Sequence, residues 1–136
     1  MAIQVVTTEQ STLFTIRTKH TTYQMKADEY GVLLHLWYGA SVEGDMSYLL
    51  DYPDVGFSGN LYEAENRRTY SLNTLPLEYA TEGVGDFRIP AVAATHADGS
   101  NALDLRYQSY NILIGKYAIA GLPAVYADED KAETLE

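Results

Sequence analysis

Apolar and polar side chains alternate along the first part of the chain. Ile3 to Thr7 is rich in β-branched residues, and "LFTIRT", Leu13 to Thr18, sets Phe14, Ile16 and Thr18 against Thr15 and Arg17. "TYQMKA", Thr22 to Ala27, sends Tyr23, Met25 and Ala27 one way and Gln24 and Lys26 the other. A period of two belongs to a half-buried strand, because successive side chains leave a strand on opposite faces. "DEYG", Asp28 to Gly31, reads as a turn. "VLLHLWYG", Val32 to Gly39, is nearly all apolar and predicts a central strand covered on both faces. "MSYLL", Met46 to Leu50, predicts a further short strand.

The alternation then stops. From Asp51 to Tyr70 the chain carries a proline, two glycines and a mixed charge cluster. So long an irregular loop is unusual in a compact domain, and such loops tend to carry function. The next stretch, "YSLNTLPLEYATEGVGDFRIPA", Tyr70 to Ala91, is also rich in turn residues. Strand signals return at "AVAATHA", followed by a turn at Asp98 to Ser100, and again at "LDLRYQSYNILIG", Leu103 to Gly115. "GLPAVYA" places Pro123 at a strand edge or entry. No stretch keeps a 3.6-residue period over three turns. The pattern predicts a single all-β domain over residues 1–136, an antiparallel β-sandwich. The closing "AETLE" alternates like a strand, which predicts that it pairs elsewhere or that the chain is a fragment of a larger unit.

Composition narrows the chemistry. The 136 residues include no cysteine, which removes disulfides, thiolate zinc sites and thiol nucleophiles. Nineteen acids against nine bases give a net charge of −10, a field that repels phosphate backbones, so no nucleic-acid partner is expected. No apolar run reaches the length of a membrane-spanning helix, and the first residues lack a signal-peptide pattern. A cytoplasmic protein without a membrane partner is the expectation. Twelve tyrosines suit pleated, half-buried surfaces, and equally offer flat faces and hydroxyls for sugar or protein contact.

Candidate chemistry is sparse. His20, His35 and His96 share no metal-ligand spacing, and His35 reads as a hydrogen-bonded core or interface histidine. No metal or cofactor is expected. No GxSxG elbow is present, and "EGVGDFR" has Arg88 at the third position of a GxGxxG cradle. Glycosidases need two carboxylates flanking one bond. Asp51, Asp54 and Asp86 are the acids set in turn-rich apolar or aromatic context. Each also has a plain structural reading: a surface charge for Asp51, an Asx-type turn for Asp54 in "PDVG", and a salt bridge to Arg88 or bonds to loop amides for Asp86.

Four blocks in order carry a family resemblance. "SLNTLPLEYATEGVGDFRIPA", "DLRYQSYNILIGKYAIAGLPAVYA", "LLHLWYG" and the terminal "ETLE" resemble the N-terminal domain of glycoside hydrolase family 36 α-galactosidases, the melibiases. The chain departs from the family pattern at Asn73, Leu77, Ala80 and Tyr110, where Asp, Gln, Pro and His are usual. The resemblance implies a β-supersandwich that precedes a (β/α)8 catalytic barrel. That barrel holds both catalytic carboxylates of a retaining glycoside hydrolase, so this chain alone is expected to hold no catalytic residue and to be inactive.

The resemblance further implies α-galactosides such as melibiose and raffinose as substrates, and a homo-oligomer, typically a tetramer. In it the N-terminal domain of one subunit helps to wall the galactose pocket of another. The family's sugar-contacting Asp precedes a Phe-Ser pair, which places Asp54 of "DVGFS" at the substrate. Two other readings stand beside this one. A free-standing carbohydrate-binding β-sandwich module would use Trp37 as its platform, and a purely structural cap would leave Asp54 without a role.

Overall fold

The computed structural model describes residues 2–56, 59–116, 118–123 and 132–136. Four strands, β1 (Ile3–Thr7), β2 (Thr12–Arg17), β3 (Thr21–Ala27) and β4 (Leu33–Ala40), form an antiparallel sheet in the order β1-β2-β3-β4. Two short strands, β5 (Ile112–Ile114) and β6 (Glu133–Leu135), form a second antiparallel pair. The terminal "ETL" therefore pairs with the end of the expected Leu103–Gly115 strand. The fold is all-β and antiparallel, as the sequence predicts, with no α-helix among the described residues.

Chain packs on both faces of the four-stranded sheet. Phe14 lies opposite Met25 in the register, and its ring meets the edges of Tyr107 and Tyr110 at 5.6 and 5.5 Å. The neighbouring pair, Thr15 and Gln24, points the other way. There Gln24 is buried; its amide nitrogen donates to Thr15 Oγ1 and to the Gly44 carbonyl, and its Oε1 accepts from the Met46 amide. A buried amide must find such partners, because leaving one unmade costs about 1–3 kcal/mol.

Four expectations are corrected. β4 is the last strand of its sheet, and only Leu34 and Leu36 of it are buried; Leu33, His35 and Trp37 are half-buried and Tyr38 is exposed. Its outer edge is partly covered by the Pro76–Glu78 segment through one bridge, with His35 N donating to the Pro76 carbonyl (2.7 Å) and Glu78 N to that of Leu33 (2.9 Å). Met46–Leu49 is a turn of 3₁₀ helix instead of a strand. Asp45 caps it by accepting from the Ser47 amide at 2.7 Å, a local bond that competes with sheet pairing.

The "AVAATHA" stretch forms only a single bridge, Val92 to Thr81. Between Leu103 and Asn111 there is no strand. Leu103 N donates to Glu82 and Tyr107 N to Gly31, partners on separate segments, so no ladder forms. Burial there does not follow the alternation: Leu105 is exposed, whereas Arg106 and Tyr107 are half-buried. Most of "GLPAVYA" lies outside the described residues.

The main core sits at the start of β4. Val32, Leu34, Leu61, Ala64, Tyr70, Leu72 and Leu75 are buried together. Five of these seven come from the irregular 61–75 stretch, so the loop and the turn-rich segment are themselves the wall of the core.

Candidate functional site

The irregular 51–70 loop is held at its base by aromatic rings. Tyr70 is buried, and its hydroxyl donates to Asp28 Oδ2 at 2.6 Å. Asp28 Oδ1 accepts from the amides of Tyr30 and Val32, both at 2.9 Å, and so shapes the β3–β4 turn. Burial pushes the Tyr70 phenol well above its ordinary range, and the bond to Asp28 pushes it the same way. The hydroxyl therefore stays protonated and serves as a fixed donor. Tyr52 stacks on Tyr70 at 6.4 Å, and burial raises its phenol as well. The Arg67 guanidinium lies over both rings, at 5.6 and 5.7 Å, and pairs with Glu29 at 2.9 Å. Both ends of the loop are thereby tied to the same turn.

Asp54 stands out on this loop with its side chain 54% exposed. Its Oδ1 accepts from the Gly56 amide at 3.0 Å, the Asx turn expected from "PDVG". The same oxygen accepts from Arg68 Nε at 3.0 Å and lies 2.9 Å from Nη2. Among the described residues no bond reaches Oδ2. One carboxylate oxygen thus carries the local bonds, and the side chain as a whole is exposed. Phe57 and Ser58, which place Asp54 in the family pattern, lie outside the described residues.

The 71–91 segment backs this loop. Asp86 is buried in its side chain, and both oxygens are committed to Arg88: Oδ1 accepts from the Arg88 amide and Nε, and Oδ2 from Nη2. Burial alone would raise the Asp86 carboxyl, but the Arg88 bonds and charge outweigh it and hold it below the usual range. Arg88 Nη2 also donates to the Leu72 and Leu75 carbonyls at 2.7 and 2.9 Å. The salt-bridge reading of Asp86 is the observed one, and the pair ties two turns together. Asn73 Oδ1 accepts from the Phe87 amide at 3.0 Å. Backbone meets backbone where Gly59 faces Gly85.

The remaining candidates stay apart. Asp51 is exposed. His35 Nδ1 lies 3.0 Å from Glu78 Oε2 and its ring packs edge-on against Tyr23, so it is the hydrogen-bonded histidine expected; burial raises the Glu78 carboxyl. His20 is exposed, and His96 Nε2 bonds the Ala102 carbonyl at 2.8 Å. No cluster of metal-ligating side chains exists among the described residues. Trp37 is half-buried and donates to the Ala40 carbonyl at 3.2 Å. Sequence reading did not find Arg68 or the Gly59–Gly85 contact. The "RR" in the loop was visible only as part of a mixed charge cluster.

Residues 31–136 match the Glycosyl hydrolase family 36 N-terminal domain. The chain belongs to that family. It is 52% identical over 124 residues to the bifunctional alpha-galactosidase/sucrose kinase AgaSK of Mediterraneibacter gnavus, covering 91% of this chain and 13% of that protein. Alpha-galactosidase 1 of Pediococcus pentosaceus is 40% identical over 138 residues, covering 98% of this chain and 18% of that protein. The solved galactosidase domain of AgaSK superposes with a TM-score of 0.87 at 47% identity, over 97% of this chain and 18% of that one. A variant of AgaA from Geobacillus stearothermophilus, solved in complex with raffinose, gives a TM-score of 0.81 at 36% identity, over 90% and 17%. This chain thus spans less than a fifth of the length of these relatives.

Proposed function

We propose that this chain is the non-catalytic N-terminal domain of an α-galactosidase that removes terminal α-galactosyl residues from oligosaccharides such as melibiose and raffinose. In this reading it supports oligomer assembly and supplies one wall of the galactose pocket. The 51–70 loop reaches toward a neighbouring subunit, and the bond-breaking carboxylates belong to a barrel outside this chain. Two observations support the reading. Membership of the family is one, and the other, which carries the assignment of a site, is the exposed Asp54 carboxylate with one oxygen anchored and, among the described residues, no bond on the other.

A carboxylate oxygen facing outward accepts hydrogen bonds from sugar hydroxyls, and such charge-assisted bonds are the strong ones. Each contributes on the order of 1.5–3 kcal/mol net. Two acids with buried or part-buried bonds are already committed elsewhere. Asp86 is closed off by Arg88, and Asp28 by Tyr70 and two amides.

The test is Asp54→Ala in the full-length enzyme. The expected result is an increase in KM for melibiose of roughly ten- to a hundredfold, with an unchanged oligomer by analytical ultracentrifugation. Unaltered kinetics would remove Asp54 from the pocket. The reading as a free-standing sugar-binding module is tested by titrating this chain with galactose, melibiose and raffinose. No saturable binding is expected, since one wall cannot bury a sugar.

A further inference from the structure

We infer that Arg68 is a positioning residue for the sugar-binding carboxylate of Asp54; the inference rests on the pocket-wall reading above. Two neighbouring arginines on one loop have divided tasks. Arg67 turns inward to Tyr52, Tyr70 and Glu29, fastening the loop to the body. Arg68 turns to Asp54, fourteen residues earlier in the chain, and joins the outgoing limb of the loop to the returning one. Gly56 completes the arrangement. It gives its amide to the same Oδ1, sits at φ +69°, and any Cβ there would lie 3.9 Å from Arg68 Nη2.

The geometry differs from the usual arginine–carboxylate fork, in which two nitrogens take two oxygens. Here Nε and Nη2 both address Oδ1. A guanidinium is a rigid plane, so the pair fixes the direction of the carboxylate while leaving Oδ2 free of it. Stability does not explain the contact. Both side chains are more than half exposed, 65% and 54%, and ion pairs of that kind contribute little to folding. A contact that adds little stability but fixes an acceptor's direction matters when a ligand meets that acceptor. Preorganisation of this kind spares the ordering cost at binding. Lysine would keep the charge without the plane.

The test is a double-mutant cycle in the full-length enzyme with melibiose as substrate: Asp54→Ala, Arg68→Ala, both together, and Arg68→Lys. Expected is a rise in KM of roughly three- to tenfold for Arg68→Ala, with kcat nearly unchanged and a melting temperature within about 2 °C of the parent. Arg68→Lys should fall between Arg68→Ala and the parent. In the Asp54→Ala background, Arg68→Ala should change KM no further, because its whole effect passes through the carboxylate. If Asp54→Ala raises KM but Arg68→Ala leaves it unchanged, or if the two effects multiply independently, Arg68 does not position Asp54 and the pocket wall stands without it. If Asp54→Ala leaves KM unchanged, the pocket wall itself fails, and this inference with it.

Discussion

Gly59 and Gly85 touch through their backbones. A Cβ built on Gly59 would lie 3.0 Å from the Gly85 Cα, and one built on Gly85 would lie 3.0 Å from the Gly59 carbonyl oxygen. Gly59 belongs to the loop that carries Asp54, and Gly85 to the turn that carries Asp86 and Arg88. The contact is therefore where the turn-rich segment supports the candidate sugar loop. A flexible side-chain end could move aside, but here both neighbours are main chain.

The two glycines are unequal, and substitution should show it. Gly85 sits at φ +98°, so alanine there meets both the Gly59 carbonyl and a left-handed backbone. The backbone penalty alone is about 1–2 kcal/mol. At Gly59 no such backbone penalty applies and only the contact resists, which overpacking data put at roughly 1–3 kcal/mol. Gly85→Ala is expected to be the more damaging. Hydrogen exchange in the intact protein should show it as lost protection of the Phe87 amide, which is held by Asn73, with a smaller loss for Gly59→Ala.

Asp86 makes a pH-dependent prediction. Its carboxyl is held below the ordinary value of 3.8 in the folded chain, because the Arg88 interactions outweigh the cost of burial. A depressed folded pKa means that the unfolded chain binds the proton more readily. The stabilisation is therefore fully present above about 3.8 and is lost as pH falls through the folded value. Asp86→Asn keeps the shape but gives up the charge on Arg88. It should cost about 1.5–3 kcal/mol at pH 7. The gap between variant and parent in denaturant titrations should narrow once the pH drops below 3.8. A gap that stays constant with pH would mean that the Arg88 partnership is not electrostatic.

What the sequence revealed and what it hid divide along one physical line. Strands β2 and β3 were legible because apolar and polar residues alternate along them, and β1 because it is rich in β-branched residues; the burial itself is less regular, since β1 buries only Ile3 and β2 buries both Phe14 and Thr15. The Asx turn at Asp54 and the Asp86–Arg88 pair were legible because both are local in sequence, two residues apart. The Leu103–Asn111 stretch misled for the same reason that made the strands visible. Its alternation is real but finds no ladder: Leu105 is exposed, while Tyr107 and Tyr110, which do not share one alternating face, both pack on Phe14. Met46–Leu49 misled because its fate was set by the Asp45 cap and by Gln24, a residue on another element. Arg68 and Gly59 were hidden because their partners lie far along the chain, at Asp54 and Gly85. No periodicity records a contact of that kind.

Tyr70 and Asp28 set the last prediction. The Tyr70 hydroxyl donates to Asp28 Oδ2, while Oδ1 is occupied by the Tyr30 and Val32 amides. Tyr70→Phe leaves the ring in place between Tyr30 and Tyr52 but strips that oxygen of its partner. Losing one member of a hydrogen bond to a charged group costs more than losing both, because the charge left behind is not rehydrated. A loss of about 1–3 kcal/mol is expected, seen as a lower melting temperature. Asp28→Asn should partly offset it, since the amide keeps an oxygen for the two backbone donors and carries no stranded charge. The double variant should then be more stable than the sum of the single losses allows. Strict additivity would show that the Tyr70 hydroxyl and the Asp28 carboxylate are not coupled.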